Sequence, residues 1–381
     1  MKRIKFFPTA LLIFAIAVNA ISAKDLEGKS KSFKIAKGGT LIVEVQLGNI
    51  VIQTSDKDEI QLTVEGLSSE EQENVETTVS GNKLTVRYDH NESESDEVSF
   101  RFTVPTRFNF DLRTNAGDIK FKNDIDGNIF ADTYGGDILA KNVTGNIKVE
   151  TKGGDIVLGD ISGDCSVNTY GGDISAGALT GKSTKISTSG GDIKIKKSTS
   201  GIGAKTYGGD IIVGDLGGDS ELTTSGGDVI AANVIGNIRM ETYGGDLKLN
   251  GAKGSVRAKT SGGNIEMKNI EGSVDIKTMS GSISIELNPA RNSTSRITTN
   301  AGSIELTVPS SAKTTIDARI YVIGWWKEAR ETYKINSDFE VTTEEFDSED
   351  KTIKSNYMLN GGGSVIHLKA TNDDITIRKS K

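Results

Sequence analysis

Aspartate recurs along the middle of this chain at a spacing that could do chemistry. Asp118, Asp137, Asp155, Asp173, Asp192, Asp210, Asp228 and Asp246 each follow a glycine and precede Ile, Val or Leu. If the chain coils with that period, the carboxylates form a column. Neighbours about 5 Å apart in water repel by roughly 1 kcal/mol each, so something must offset them. One offset is local: an Asp after a glycine accepts backbone N–H bonds at its own turn. The other is Ca2+, a hard cation that seeks carboxylates and carbonyls. Asp137, Asp155, Asp173, Asp210, Asp228 and Asp246 are the candidate ligands for it. The calcium-binding nonapeptide Gly-Gly-x-Gly-x-Asp also winds into short coils, but this chain lacks its third glycine and later aspartate. Later copies carry Asn264, Ser282 and Ser303 at the same place, so those layers need no charge. The aspartates are therefore read as turn residues with no metal or cofactor, and calcium is the alternative.

Tyr134, Tyr170, Tyr207 and Tyr243 form a second series, in every other copy, with Lys152, Ser189, Ser225 and Ser261 in the copies between. Exposed tyrosines at regular spacing stack on sugar rings, and these four are the candidate ligand surface; the plainer reading is packing over their neighbours. Signs of catalysis are few. His90 and His367 are the only histidines, and no Ser/His/Asp set, zinc spacing or phosphate loop occurs. A polysaccharide lyase or hydrolase working with carboxylates and basic residues is the remote alternative. Coils this uniform leave little irregularity from which to build a cleft.

The elements that would position these residues follow from one phrase. Thr, two variable residues, Gly, then Asp, Asn or Ser, then Ile, Val or Leu occurs eleven times between Thr114 and Ile304. Its glycines advance by 18, by 19 twice and by 21 once. A fixed period of this length marks a solenoid of stacked coils. A second glycine, as in Gly127-Asn128-Ile129 and Gly145-Asn146-Ile147, splits each unit in half. Between glycines the pattern alternates with period two, which is β structure. Across 154–169 the inward set is Ile156, Leu158, Ile161, Cys165, Val167 and Thr169. Glycine is expected at the corners for positive φ, and the phrase threonines for stacking inside. Eleven layers about 4.8 Å apart give a rod of roughly 50 Å. The alternating tyrosines leave a 36-residue coil open.

The ends differ. Residues 1–23 read as a secretory signal peptide, with Lys2, Arg3 and Lys5 before an apolar run and Ile21-Ser22-Ala23 as the cleavage site. Residues 24–110 read as an N-terminal β cap region, 111–309 as the solenoid repeats and 310–381 as a C-terminal cap that shields the last layer. Without the signal the net charge goes from −7 to −10. That argues against nucleic acid, which needs a basic stripe. No other run is long enough to span a membrane. Cys165, the only cysteine, reads as a small core residue. A periplasmic, cell-surface or extracellular location is expected.

The Gly-Asp-Ile repeats, with Phe102-Thr103-Val104-Pro105 before them and Gly361-Gly362-Gly363-Ser364-Val365-Ile366-His367-Leu368 after, resemble the bacterial putative-adhesin family of β-strand-repeat proteins, a domain of unknown function. The resemblance implies an all-β fold, a right-handed β-solenoid of about 18 residues per coil with β caps, on an exported or envelope protein. It implies no catalytic residues. The expected role is a non-enzymatic surface interaction with cell-surface glycan or an envelope protein. The alternatives are a glycan-binding module using the tyrosines and a structural envelope scaffold.

Overall fold

A computed structural model describes residues 30–89, 97–324 and 331–380. The signal-peptide residues, His90, Trp325 and Trp326 lie outside the described residues. The chain is all β, and among the described residues 36 strands join in one hydrogen-bonded sheet. Helical structure among the described residues is a 3-10 turn at Glu71–Asn74 and two residues at 331–332.

Strands pair in parallel at a constant offset. Ile129 lies opposite Ile147, Ile147 opposite Cys165, and Cys165 opposite Thr184. One coil is therefore one repeat, and a 36-residue coil is ruled out. In the coil that begins at Ile129, three strands form three faces: Ile129–Thr133, Ile138–Ala140 and Val143–Thr144. Short corners at 134–137, 141–142 and 145–146 join them. We call these the first, second and third faces and corners.

Alternation sends one side chain in and the next out. Ile129, Ala131, Ile138, Ala140 and Val143 are buried in that coil, and each fully buried Ile or Val contributes roughly 1.5–3 kcal/mol. All six inward residues expected across 154–169 are buried. Cys165 sits in the column between Ile147 and Thr184, and burial pushes its thiol up to about 12. Large aromatics fill the N-terminal layers instead, where Tyr88, Phe100, Phe102 and Phe108 are fully buried.

The stack is longer than the eleven phrases, because each end adds two layers out of chain order. At the start, Thr40–Leu47 and Asn49–Ser55 lie directly beneath Asn109–Ala116 and Ile119–Phe121. Lys83–Tyr88 and Ser99–Pro105 lie beneath those in turn. At the other end, Ser364–Thr371 slots between Thr294–Thr299 and Thr314–Tyr321. Antiparallel strands follow on the outside of both ends. Ile60–Glu65 and Glu76–Ser80 stop the first, and Thr352–Leu359 with Thr343–Asp347 stops the second. The outermost strands, Ser30–Phe33 and Thr343–Asp347, are short and carry Lys31 or Glu344, Glu345 and Asp347. Charge on a short edge strand blocks pairing with another chain.

The reason for glycine at the first corner differs from the one expected. Of the phrase glycines only Gly117 and Gly302 have positive φ, at 142° and 132°. At the others a Cβ would collide with the coil beneath: built on Gly154 it would stand 2.1 Å from the carbonyl oxygen of Gly136. Close approach of backbone to backbone, not a left-handed turn, requires the glycine there. The preceding glycine is looser, since a Cβ on Gly153 meets its nearest atom at 3.6 Å. Gly154→Ala is thus expected to destabilise by about 2–3 kcal/mol, with Gly153→Ala within about 1 kcal/mol of the parent. Paired urea melts followed by circular dichroism check this, and equal effects would contradict it.

Candidate functional site

At the first corner the aspartates stack as a column, and each carboxylate has a partner. Asp118 Oδ1 accepts the backbone N–H of Asp137 at 2.8 Å, Asp137 that of Asp155 at 2.8 Å, and Asp155 that of Asp173 at 2.8 Å. The series continues unbroken through Asp192, Asp210, Asp228 and Asp246 to Asn264 and Ser282. The acceptor role expected of these residues is present, but the N–H comes from the next coil and not from the residue's own turn. Among the described residues no group of three or more His, Cys, Asp or Glu converges on a metal position.

The other two corners repeat the device. Asn109, Asn128 and Asn146 accept from Asn128, Asn146 and Asp164 at the third corner. Asp124, Asn142 and Asp160 accept from Asn142, Asp160 and Ala178 at the second. The second-corner series is hidden in the sequence, because no glycine precedes Asp124 or Asn142.

The phrase threonine completes the first corner. Thr133, Thr151 and Thr169 are buried, and their hydroxyls donate to the carbonyls of Gly117, Gly136 and Gly154 one coil below, at 2.8–2.9 Å. The same oxygens accept the N–H of Gly136, Gly154 and Gly172 in their own coil. Threonine bridges backbone to backbone, where stacking on other threonines was expected.

Charge at the column is held by its surroundings. Burial pushes the Asp118 carboxyl up, but the Lys120 ammonium and the N–H of Asp137 outweigh it and leave the group below the ordinary carboxylate value. The N–H of Asp210, then Lys194, hold Asp192 down. At the third corner the N–H and side chain of Asn237 do the same for Asp219.

Tyr134, Tyr170, Tyr207 and Tyr243 stand at the first corner and are 60, 55, 55 and 70% exposed. Consecutive tyrosines are two coils apart, about 10 Å. Lys152 Nζ lies 4.1 Å from the centre of the Tyr134 ring, and Lys205 Nζ 4.7 Å from that of Tyr207. Such contacts are worth roughly 0.5–1 kcal/mol at exposed sites, and they leave most of each ring open.

The first face carries features that the sequence reading missed. A groove of about 790 Å3 runs along its third-corner side from Lys182 to Arg296, past Arg239, Arg257, Ser255 and Ser273. Its residues lie in different repeats. Only superposing the copies at one coil each, a choice the tyrosines had left open, would bring Arg239, Arg257 and Arg296 into one column. His367 lies farther along this face, with Nδ1 3.1 Å from Asp317 Oδ2, and Arg319 holds the same carboxylate through two bonds. Burial raises the Asp317 carboxyl, but Arg319 and His367 bring it down.

A model of the family described as "Toastrack DUF4097" matches residues 40–232 and 217–339. No curated protein sequence matches the chain. Among solved structures, a "putative adhesin" from Bacteroides fragilis NCTC 9343 is similar over 73% of this chain and 95% of its own, at 16% identity and TM-score 0.28. A "putative adhesin" from Parabacteroides distasonis ATCC 8503 covers 73% and 96%, at 13% identity and TM-score 0.28. A "putative cell adhesion protein" from Clostridium sporogenes ATCC 15579 covers 92% and 99%, at 10% identity and TM-score 0.16.

Three outcomes follow for the aspartate column, the first of them from Asp118 and Asp192, whose carboxyls are lowered in the fold. A carboxyl lowered by folding stabilises above its unfolded value near 3.9, and that stability is lost as pH falls through the folded value. Melting midpoints are therefore expected to be level above about pH 5 and to fall below about pH 4. With each carboxylate engaged by the N–H of the coil above it, EDTA is expected to leave the midpoint unchanged and added Ca2+ to raise it by nothing. A calcium-dependent rise would reassign the column. Asp173→Asn keeps the acceptor and should be near neutral, whereas Asp173→Ala strands the Asp192 N–H and should cost about 1 kcal/mol.

Proposed function

The chain belongs to the Toastrack DUF4097 family, and on that premise we propose that it is a non-enzymatic, exported β-solenoid that presents a regular surface to a partner at the cell envelope. The observation that carries this reading is the division of labour within each coil. Threonine, glycine and the Asx residues hold one coil to the next, which gives each of them a structural task in its layer. The outward positions also differ between coils, and the tyrosines are among the largest side chains there. The apolar run at the N-terminus supports export through a signal peptide at 1–23, with 24–110 and 310–381 as caps around the repeats and a right-handed winding. No helix among the described residues is long and apolar enough to cross a membrane.

A second reading makes the tyrosine corner the contact itself. Four rings, 55–70% exposed and about two coils apart, suit a chain of sugar rings laid along the rod. The partner is then a surface glycan. An array of bacterial and host glycans separates the readings, with the parent compared to Tyr134, Tyr170, Tyr207 and Tyr243 all changed to Ala. Binding reduced at least about tenfold, as loss of aromatic anchors does, supports the tyrosine corner. Binding unchanged by the substitutions removes the tyrosines from the contact, and a parent that binds no glycan or envelope extract favours a structural scaffold.

A further inference from the structure

We infer that a recess on the first face, in the last layers of the rod, binds a phosphate monoester carried on a sugar. This rests on the surface-interaction reading and deepens it by naming a ligand group, at a place apart from the four tyrosines.

The recess is built by register. Three adjacent strands, Thr294–Thr299, Ser364–Thr371 and Thr314–Tyr321, set Arg296 opposite His367 and His367 opposite Asp317. Two residues farther along, Thr298 stands opposite Lys369 and Lys369 opposite Arg319. These outward side chains make a grid two residues wide and three layers deep. Thr298 is its short member, with Lys277 on the layer below and Lys369 on the layer above. A small side chain among long ones leaves a hollow of about 360 Å3, which Tyr321 also lines.

Part of the grid is committed to itself. Asp317 is the carboxylate of the lining among the described residues. It accepts from Arg319 at 2.9 and 2.8 Å and lies 3.1 Å from Nδ1 of His367. Those contacts occupy both of its oxygens and leave two cations over. Arg296 and Lys369 are exposed and have no ion pair among the described residues. Asp275, the acid beneath Arg296 in the register, pairs with Arg257 at 3.5 Å. The Lys369 ammonium rests 4.3 Å from the centre of the Tyr321 ring.

Charge and size choose the ligand. Arg296 and Lys369 are diagonal neighbours on adjacent strands, roughly 7–8 Å apart at the backbone, so two long side chains can close on one group between them. Two free positive charges match a dianion. A phosphate monoester carries about −1.5 to −2 near neutral pH and offers three acceptor oxygens. A carboxylate, a sulfate ester or a phosphodiester brings a single charge. Arginine meets phosphate with two parallel N–H bonds and lysine meets it as a point charge, and the Thr298 hydroxyl belongs to the same grid. The hollow exceeds what a phosphate alone fills and falls within the range of small-molecule sites. Tyr321 gives its lining an aromatic part of the kind that packs on a sugar ring, and His367, held through Nδ1, keeps Nε2 for a sugar hydroxyl.

Calorimetric titration of the full protein with the phosphate monoester of glucose tests the inference, near neutral pH and at about 20 mM NaCl. Inorganic phosphate, glucuronate and glucose are the comparators, and phosphatidate vesicles present the same group on a lipid. Expected are binding of glucose phosphate that weakens as NaCl rises to about 200 mM, at least about tenfold weaker binding of inorganic phosphate and glucuronate, none of glucose, and no sedimentation with the vesicles. Arg296→Gln/Lys369→Gln should weaken glucose phosphate at least about tenfold with an unchanged melting midpoint. Lys369→Arg should retain it, and Thr298→Tyr should fill the hollow and block it while the circular dichroism of the rod stays as in the parent. The four-tyrosine variant should bind glucose phosphate as the parent does, which keeps a failure of the tyrosine reading distinct from a failure here. No binding of glucose phosphate, equal binding of inorganic phosphate or glucuronate, sedimentation with phosphatidate vesicles, or an unchanged double variant would each overturn the assignment.

Discussion

The rod depends on how closely the backbone of one corner lies on the corner beneath it. A carbonyl oxygen of one phrase glycine stands 1.9–2.3 Å from where a Cβ would be on the next, all the way from Gly136 to Gly302. No side chain fits between them, so the residue is glycine. The same closeness leaves backbone N–H and carbonyl groups facing a neighbouring chain and not water, and each must find a partner there. Threonine supplies a donor to the carbonyl and the Asx side chain supplies an acceptor to the N–H. Because the stacking is in register, every solution found for one coil can be copied in the next. The column of like carboxylates is the consequence, and the N–H groups pointing into it offset the repulsion.

Much of this was legible in the residues. The period marked a solenoid while leaving its coil at 18 or 36 residues, alternation fixed which side chains go in, and Cys165 falls in the core column because its neighbours in the pattern are aliphatic. The phrase also marked Thr, Gly and Asp as parts of one device. What it did not reveal was the direction of the bonds. A turn that binds its own Asp and a turn that binds the Asp of the coil below have the same residues at the same spacing. The difference lies in a contact across eighteen residues, as between Asp155 and Asp137, which no local rule describes. Positive φ holds at Gly127, Gly145, Gly236 and Gly254 of the third corner, but at most first-corner glycines it failed as an explanation, because there the obstacle to a Cβ is another coil.

The ends were legible as strands but not as layers. Leu41–Val45 and Gly48–Ile52 look like the repeats that follow, and Asn49 does begin the ladder by accepting the N–H of Asp118. Nothing nearby in sequence says that 83–88 and 99–105 go beneath that layer and 109–121 above it. Apolar Phe100 and Phe110 would satisfy either neighbour. The order is decided by the open edge. A strand hairpin left outside can turn antiparallel and present a short charged edge, whereas a bare coil would present a full set of unpaired backbone groups. The same solution at both ends, with Ser364–Thr371 tucked between earlier strands, follows from that single requirement.

The coupling of each coil only to its neighbours also governs where the surface is free to change. An outward residue on the first face touches the residues directly above and below it, so a substitution there disturbs two layers and leaves the corners intact. Arg257 and Asp275 face each other across two adjacent layers in this way. Lys259 lies between Glu241 and Lys277 in the register and is exposed, so it can vary without touching a corner. Glycine at 203 is equally unforced, since a larger side chain has room. That latitude belongs to the outward columns alone, because at the first corner a Cβ meets the backbone of the coil beneath.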